Sequence, residues 1–315
     1  TGGLGFIGSN LAIKLVELGA EVTLIDSLIP QMGGNLFNLE PIKNKVEVKI
    51  IDLREQKKVE QIVRDKEIIF NLAGTLSHID SMRDPFLDLD INCRAQLSLL
   101  GSVRKGNKDA RIVFAGTRNQ YGKVKYLPVD EGHPLKPTDI NGINCNAAEA
   151  YHLLYHKVYG IKSVSLRLTN VYGPRHQMKH SKQGVLNWFL RQIMDGEEIR
   201  LHGSGEQIRD VNYIDDVVNA FLMAGSSRRA WGKVYNLGGI PVSLKKFVET
   251  SIKIFGKGRF KIVPFPSERK KIEIGDYIAD YSRIVRDVGW KPKVSLKTGI
   301  AKTFKYYEKY KKYYW

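Results

Sequence analysis

A chain of 315 residues with 43% hydrophobic content can bury one large core, or a core and a smaller lobe, and its composition is not that of a disordered segment. No apolar run nears the roughly 20 residues that cross a bilayer, and no charged-then-apolar leader precedes the first motif, so a soluble protein with no membrane partner is expected. Two cysteines, Cys93 and Cys145, exclude a disulfide framework and point to a reducing compartment, the cytoplasm; the net charge of +17 is spread along the chain, suits an anionic substrate, and does not by itself call for a nucleic-acid partner.

The chain opens TGGLGFIGSNLAIKLVELGAEVTLIDS, in which Gly3, Gly5 and Gly8 fit G-x-G-x-x-G, while Gly2, Gly5 and Gly8 fit G-x-x-G-x-x-G. Apolar residues then recur at helical spacing over 6–18, Gly19 stops the helix, and EVTLID reads as a buried strand. A glycine triplet alone is often just a turn. Here loop, helix and strand follow in order, and Asp26 ends the strand about 20 residues after the glycines, as dinucleotide sites require. Gly2, Gly5, Phe6, Ile7 and Gly8 would then present backbone to a pyrophosphate resting on the helix N-terminus. The Asp26 carboxylate would accept from ribose hydroxyls and repel a 2′-phosphate, so the expected cofactor is NAD rather than NADP. A strand ought to precede the loop at the centre of the sheet, yet residue 1 is already the Thr of the motif. The expectation is an N-terminally truncated chain whose sheet has unpaired edges and reduced stability.

Alternation continues through VEVKIIDL, EIIFNLAG, a helix over 86–103, RIVFAG, a helix over 147–159, and KSVSLRL. This pattern predicts a doubly wound, Rossmann-like parallel α/β sheet with its ligands beyond the carboxyl ends of the strands. Asp26, Asp52, Leu72, Ala73, Gly74, Thr117 and Asn170 all fall at such ends. After Gly173 and Pro174 the pattern loosens into shorter helices, the loop HGSGEQIRD and the strand-like KVYNLGG, which reads as a smaller C-terminal α/β lobe. The Tyr- and Lys-rich tail has Ile300, Phe304 and Tyr307 at helical spacing, a packed terminal helix rather than a surface for stacking bases.

The segments TGGLGFIGSN, NLAG, FAGTRNQYG, RLTNVYGPR, GSGEQIRDVNYIDD, YNLGG and DVGWKPKVSL together resemble the extended short-chain dehydrogenase/reductases that act on sugar nucleotides, such as UDP-glucose 4-epimerases and nucleotide-diphosphate-sugar dehydratases. The resemblance covers nearly the whole chain. It implies a NAD-binding domain over 1–170 to which 212–240 returns, and a substrate lobe from 171–211 and 241–315. It also implies that Asp52 and Leu53 contact adenine, that Leu72, Ala73 and Gly74 pass beside the cofactor, and that Thr117 is the catalytic hydroxyl. Asn170 and Arg209 match positions that hold the substrate's diphosphate, although Arg209 could instead pair with neighbouring acids. Helices 86–103 and 147–159 match the dimer face of similar proteins, so a homodimer is expected; no metal is.

In that family a tyrosine removes the sugar hydroxyl's proton, and a lysine one turn on lowers the phenol's pKa and holds the nicotinamide ribose. Here Asn141 stands in the tyrosine's place and Cys145 in the lysine's. A branch of the family carries NGIN followed by Lys, against which Cys145 is the departure. Asparagine has no proton to exchange; the thiol could titrate if a positive nicotinamide lowers its pKa, or could be a small buried hydrophobe. Spacing of four puts both on one helix face, turned to the same cleft. Cys145, Tyr121 and a water held by Thr117 and Asn141 are the candidate proton carriers. Glu273 occupies a place where 4-epimerases commonly have arginine, and would repel a diphosphate unless Arg269, Lys270 or Lys271 compensates. The reading is a NAD-dependent epimerase or dehydratase for a nucleotide-diphosphate sugar. The alternatives are a NAD- and sugar-nucleotide-binding protein that has lost its chemistry and, behind it, a basic nucleic-acid binder.

Overall fold

Strands form where the apolar runs predicted them: β1 (Val22–Asp26), β2 (Val46–Ile50), β3 (Ile68–Asn71), β4 (Arg111–Thr117) and β5 (Lys162–Leu168), followed by β6 (Asn170–Tyr172), β7 (Glu198–His202), β8 (Ile208–Tyr213), β9 (Val234–Asn236), β10 (Ile240–Ser243) and β11 (Arg259–Val263). The computed structural model describes residues 1–265 and 274–315. β3, β4, β5 and β9 make one parallel sheet in that order, and β1 and β2 make a second parallel pair. Thr1 to Gly3 lie between the two. The Thr1 amino group donates to the Phe70 carbonyl at 2.8 Å and the Gly3 N–H to that of Ile25 at 3.3 Å, tying both sheets to the start of the glycine turn.

Both faces of the sheet are covered, which is why its strands are near-continuous apolar runs. Val113 joins a core with Leu11 and the helix Ile214–Ser226, while its neighbour Ile112 faces the opposite side and packs with Val59, Leu99 and Ile161. A period of two thus sorts one strand between two helix layers, as the doubly wound reading requires.

The remaining strands form two further sheets, β6, β8 and β10 in one and β7 and β11 in another. The helices Val185–Asp195, Leu244–Phe255 and Leu296–Tyr310 contribute Phe189, Phe247 and Phe304 to the same continuous core as Val113 and Val164. Ile300, Phe304 and Tyr307 are all buried, so the basic tail is a packed helix. In DVGWKPKV the Trp290 indole donates to the Asp216 carbonyl at 2.8 Å, and the Asp216 carboxylate accepts from Lys293 and Val294 at 3.0 and 2.9 Å.

Two helices differ from expectation. The one expected over 147–159 begins at Ile140, because Asp139 caps it by accepting from the Gly142 N–H at 2.8 Å. The one expected over 86–103 runs as Pro85–Leu89, a π-helical turn Asp90–Arg94, and Ala95–Gly106. Among the described residues no helix is long and apolar enough to cross a membrane.

Candidate active site

A cleft of about 460 Å³ opens at the carboxyl ends of β1, β3, β4 and β5, and Gly2, Gly5, Phe6, Ile7 and Gly8 form one wall of it. Gly2 has a positive φ of 63°, and a Cβ there would lie 2.7 Å from the Leu72 carbonyl oxygen. A Cβ on Gly8 would lie 2.2 Å from the Gly2 oxygen, so the turn closes on itself only with glycine at both places. Gly5 is different. Its Cβ would meet only the Gly2 oxygen at 3.3 Å and otherwise stand in the cleft. Gly5 caps the helix Phe6–Glu17, whose first turn has no side-chain cap, so its N–H groups face the cavity.

Asp26 stands beside that turn. One carboxylate oxygen accepts from the Leu4 N–H at 3.0 Å and the other from Leu28 at 2.9 Å. Leu72, Ala73 and Gly74 line the cleft, and the Leu72 and Ala73 N–H groups donate to the Thr1 hydroxyl at 3.2 and 3.3 Å. Leu53 lines it too. Asp52 does not; its carboxylate faces Arg54 at 2.8 Å, which also holds Asp90 at 2.7 Å.

At the other end the walls are Thr117, Asn119, His78, Cys145 and Asn170. Thr117 caps the short helix Arg118–Tyr121, accepting from the Asn119 N–H at 3.2 Å; its own hydroxyl hydrogen has no acceptor among the described residues. The side-chain oxygen of Asn170 is buried with no partner among them, an acceptor left for a ligand.

The stretch Asn141-Gly-Ile-Asn-Cys145 corrects the expectation of a shared face turned to the cleft. Only Cys145 lines it. Asn141 is 1% exposed and donates to the Thr75 carbonyl at 2.9 Å and to the Asp88 carboxylate at 3.0 Å, so it cannot hold a water against Thr117. Asn144 donates to the other Asp88 oxygen at 2.8 Å. Gly142 lets the helix approach closely, since a Cβ there would lie 2.9 Å from the Asn119 carbonyl oxygen. The segment is a clamp on a buried carboxylate. Burial pushes the Cys145 thiol far above its ordinary range, and the nearby Asp88, Asp139 and Glu149 carboxylates add to it, so the thiol keeps its proton.

Tyr121 is also corrected. It is buried outside the cleft, accepts from Arg167 and donates to the Asn236 side-chain oxygen, both at 2.6 Å. Burial outweighs Arg167 and pushes the phenol up to about 12. The tyrosine braces the buried Arg167–Glu149 pair, 2.5 Å apart, and carries no proton to the site. Arg209 does not line the cleft either; it is 7% exposed and donates to the Gly275 and Ile208 carbonyls at 2.7 and 3.0 Å. Arg269, Lys270, Lys271 and Glu273 lie outside the described residues.

The sequence reading missed His78. Its ring lies in the cleft wall, with Nδ1 on the Asp139 carboxylate and Nε2 3.0 Å from the Asn119 side-chain nitrogen. Asp139 could have been flagged as an N-cap after Pro137; nothing local marks His78, because its partner is 61 positions away.

A bare helix N-terminus, glycines that admit a diphosphate and an acid closing the next strand define a dinucleotide-binding α/β protein. Residues 1–238 match the NAD dependent epimerase/dehydratase family, and the chain belongs to it; its cofactor is NAD. The chain is 31% identical to the UDP-glucose 4-epimerase of Thermotoga maritima solved with UDP-glucose, over 98% of this chain and 97% of that one, with a TM-score of 0.88. The UDP-glucose 4-epimerase of Thermus thermophilus in complex with NAD is 28% identical, over 98% and 97%, with a TM-score of 0.86. The CDP-paratose 2-epimerase of Salmonella typhi is 27% identical over 336 residues, 96% of this chain and 97% of that protein.

Proposed function

We propose that the chain is an epimerase or dehydratase acting on a nucleotide-diphosphate sugar, and that it works as a homodimer. One continuous cleft running from the glycine turn and Asp26 to Thr117 and Asn170 carries this reading. NAD held there would supply a reversible acceptor for the hydride of a sugar carbon. The chain's part is to hold both molecules, exclude water and move the hydroxyl proton.

The first turn of the opening helix receives the cofactor diphosphate, and Asp26 accepts from the ribose hydroxyls, with Leu53 at the adenine end. Thr117 donates its hydrogen to the reacting sugar oxygen. Asn170 offers an unpaired amide oxygen in the wall. Exposed Phe86, Ile143, Leu154 and Val158, 50–78% accessible, supply an apolar face on the helices Pro85–Leu89 and Ile140–Tyr159 for the second copy.

A second reading, binding without chemistry, draws on Asn141 being turned into the Asp88 clamp and on the protonated Cys145. NMR of UDP-glucose, UDP-N-acetylglucosamine, dTDP-glucose and CDP-sugars incubated with protein and NAD separates the two. Interconversion or loss of one sugar supports catalysis. NAD bound with no change in any sugar supports the second reading.

A further inference from the structure

His78 sits at the start of the helix His78–Arg83, its ring about one third exposed at the cleft wall. Asp139 reaches it from the N-terminus of the helix Ile140–Tyr159 and is itself 3% exposed at its side chain. One Asp139 oxygen is bound by the Gly142 N–H at 2.8 Å, the other by His78 Nδ1. Burial alone would push this carboxyl up; the His78 ring and the Gly142 N–H outweigh it and hold it below the usual range. An ionised carboxylate can only accept, so Nδ1 carries a hydrogen, and in the neutral ring the lone pair is on Nε2. That lone pair faces the Asn119 side-chain nitrogen at 3.0 Å, and the Asn119 backbone N–H is on the Thr117 hydroxyl at 3.2 Å. Thr117, Asn119 and His78 therefore follow one another along the same wall.

Resting on the reading above, we propose that His78 is the catalytic acid/base of this chain and Asp139 its positioning residue, together replacing the absent phenol. The sugar O–H bond breaks and an Nε2–H bond forms, the oxygen's pair closes a C=O bond, and the carbon's hydrogen leaves with its own pair to the oxidised cofactor. The return step reverses each change. Asp139 stabilises the imidazolium, and because Nε2 has one lone pair, the Asn119 side chain must swing off it before the sugar hydroxyl can donate there. Asp80 on the same helix is paired by Lys182 at 3.0 Å, and the Arg118 charge acts on Asp139.

The test uses His78→Gln and Asp139→Asn. The second keeps the cap on Gly142 but puts an amide N–H toward Nδ1, so the ring must move its hydrogen to Nε2. Calorimetry should give NAD affinities within about threefold of wild type for both, since a group acting only on the proton adds nothing to cofactor binding. Turnover should fall by about 10²-fold or more in each, the size of a general acid/base contribution. Nitrogen-15 NMR of the NAD-bound protein should find Nε2 bare and Nδ1 protonated in wild type, reversed in Asp139→Asn. Retained turnover in His78→Gln, or Nε2 carrying the hydrogen in wild type at pH 8, overturns the proposal. Should wild type act on no sugar nucleotide, the functional reading fails at that step, and the ring NMR still decides whether the pair is built as a base.

Discussion

The Asn141 amide nitrogen lies 3.0 Å from a carboxylate oxygen of Asp88. Asp88 is 3% exposed and takes further hydrogen bonds from Thr75 at 2.7 Å, Asn92 at 3.0 Å and Asn144 at 2.8 Å. A buried charge is tolerable when every oxygen is satisfied, and here neutral donors do it.

Asn141→Leu should therefore act on stability. It withdraws two hydrogen bonds from a buried site, a loss of about 1–3 kcal/mol and a Tm lower by several degrees. Asn141→Tyr should fold less well still, because a ring must displace Thr75 and Asp88 from a filled space. Thermal melts of both variants check this; an Asn141→Tyr protein as stable as wild type would contradict the clamp.

The thiol of Cys145 should be sluggish. Kept protonated by burial and by three nearby carboxylates, it should react with iodoacetamide at pH 8 at least about 100-fold more slowly than a free cysteine. Mass spectrometry of timed alkylation measures the rate. Cys145→Lys would place an ammonium among those carboxylates and should bind NAD more tightly by calorimetry.

Gly5 and Gly8 should fail in different ways when changed to alanine. Gly8→Ala drives a Cβ to 2.2 Å from the Gly2 oxygen, so the turn must deform and the melting temperature should fall. Gly5→Ala meets only one atom at 3.3 Å; it should fold with Tm within a few degrees of wild type and lose at least about tenfold in NAD affinity, or about 1.4 kcal/mol. Parallel melts and titrations distinguish the two.

Tyr121→Phe should lower stability by about 1–3 kcal/mol, through a buried Arg167 donor and an Asn236 acceptor left unpaired. The turnover number and its pH profile should not move. A shifted profile would return Tyr121 to the chemistry.

Acid sensitivity should trace in part to His152. Buried against Phe114, with Nδ1 on the Ala148 carbonyl at 2.9 Å, its ring is lowered from 6.5 to about 4, mainly by burial. Below pH 6.5 the unfolded chain takes up a proton that the folded chain refuses. Stability is thus lost as pH falls from 6.5 to about 4, by about 3 kcal/mol in all. Denaturant melts at pH 7.5 and 5.0 should show a smaller drop in His152→Gln than in wild type.

The alternation of strands and helices, the glycine turn and the acid closing β1 were all legible in the chain alone, since each depends on residues within a turn or two of one another. The terminal helix was legible for the same reason: the burial of Ile300, Phe304 and Tyr307 repeats the period of their spacing. What a side chain meets depends on segments far away in sequence, and that only the tertiary structure decided. Asn141 and Cys145 share a helix, yet Thr75 and Asp88 draw the first away from the cleft while the second faces it. Tyr121 follows Thr117 by one turn and is nonetheless claimed by Arg167 and Asn236. His78 gains its meaning from Asp139, brought to it by the packing of the helix His78–Arg83 against the helix Ile140–Tyr159, a contact with no local signature for a sequence to display.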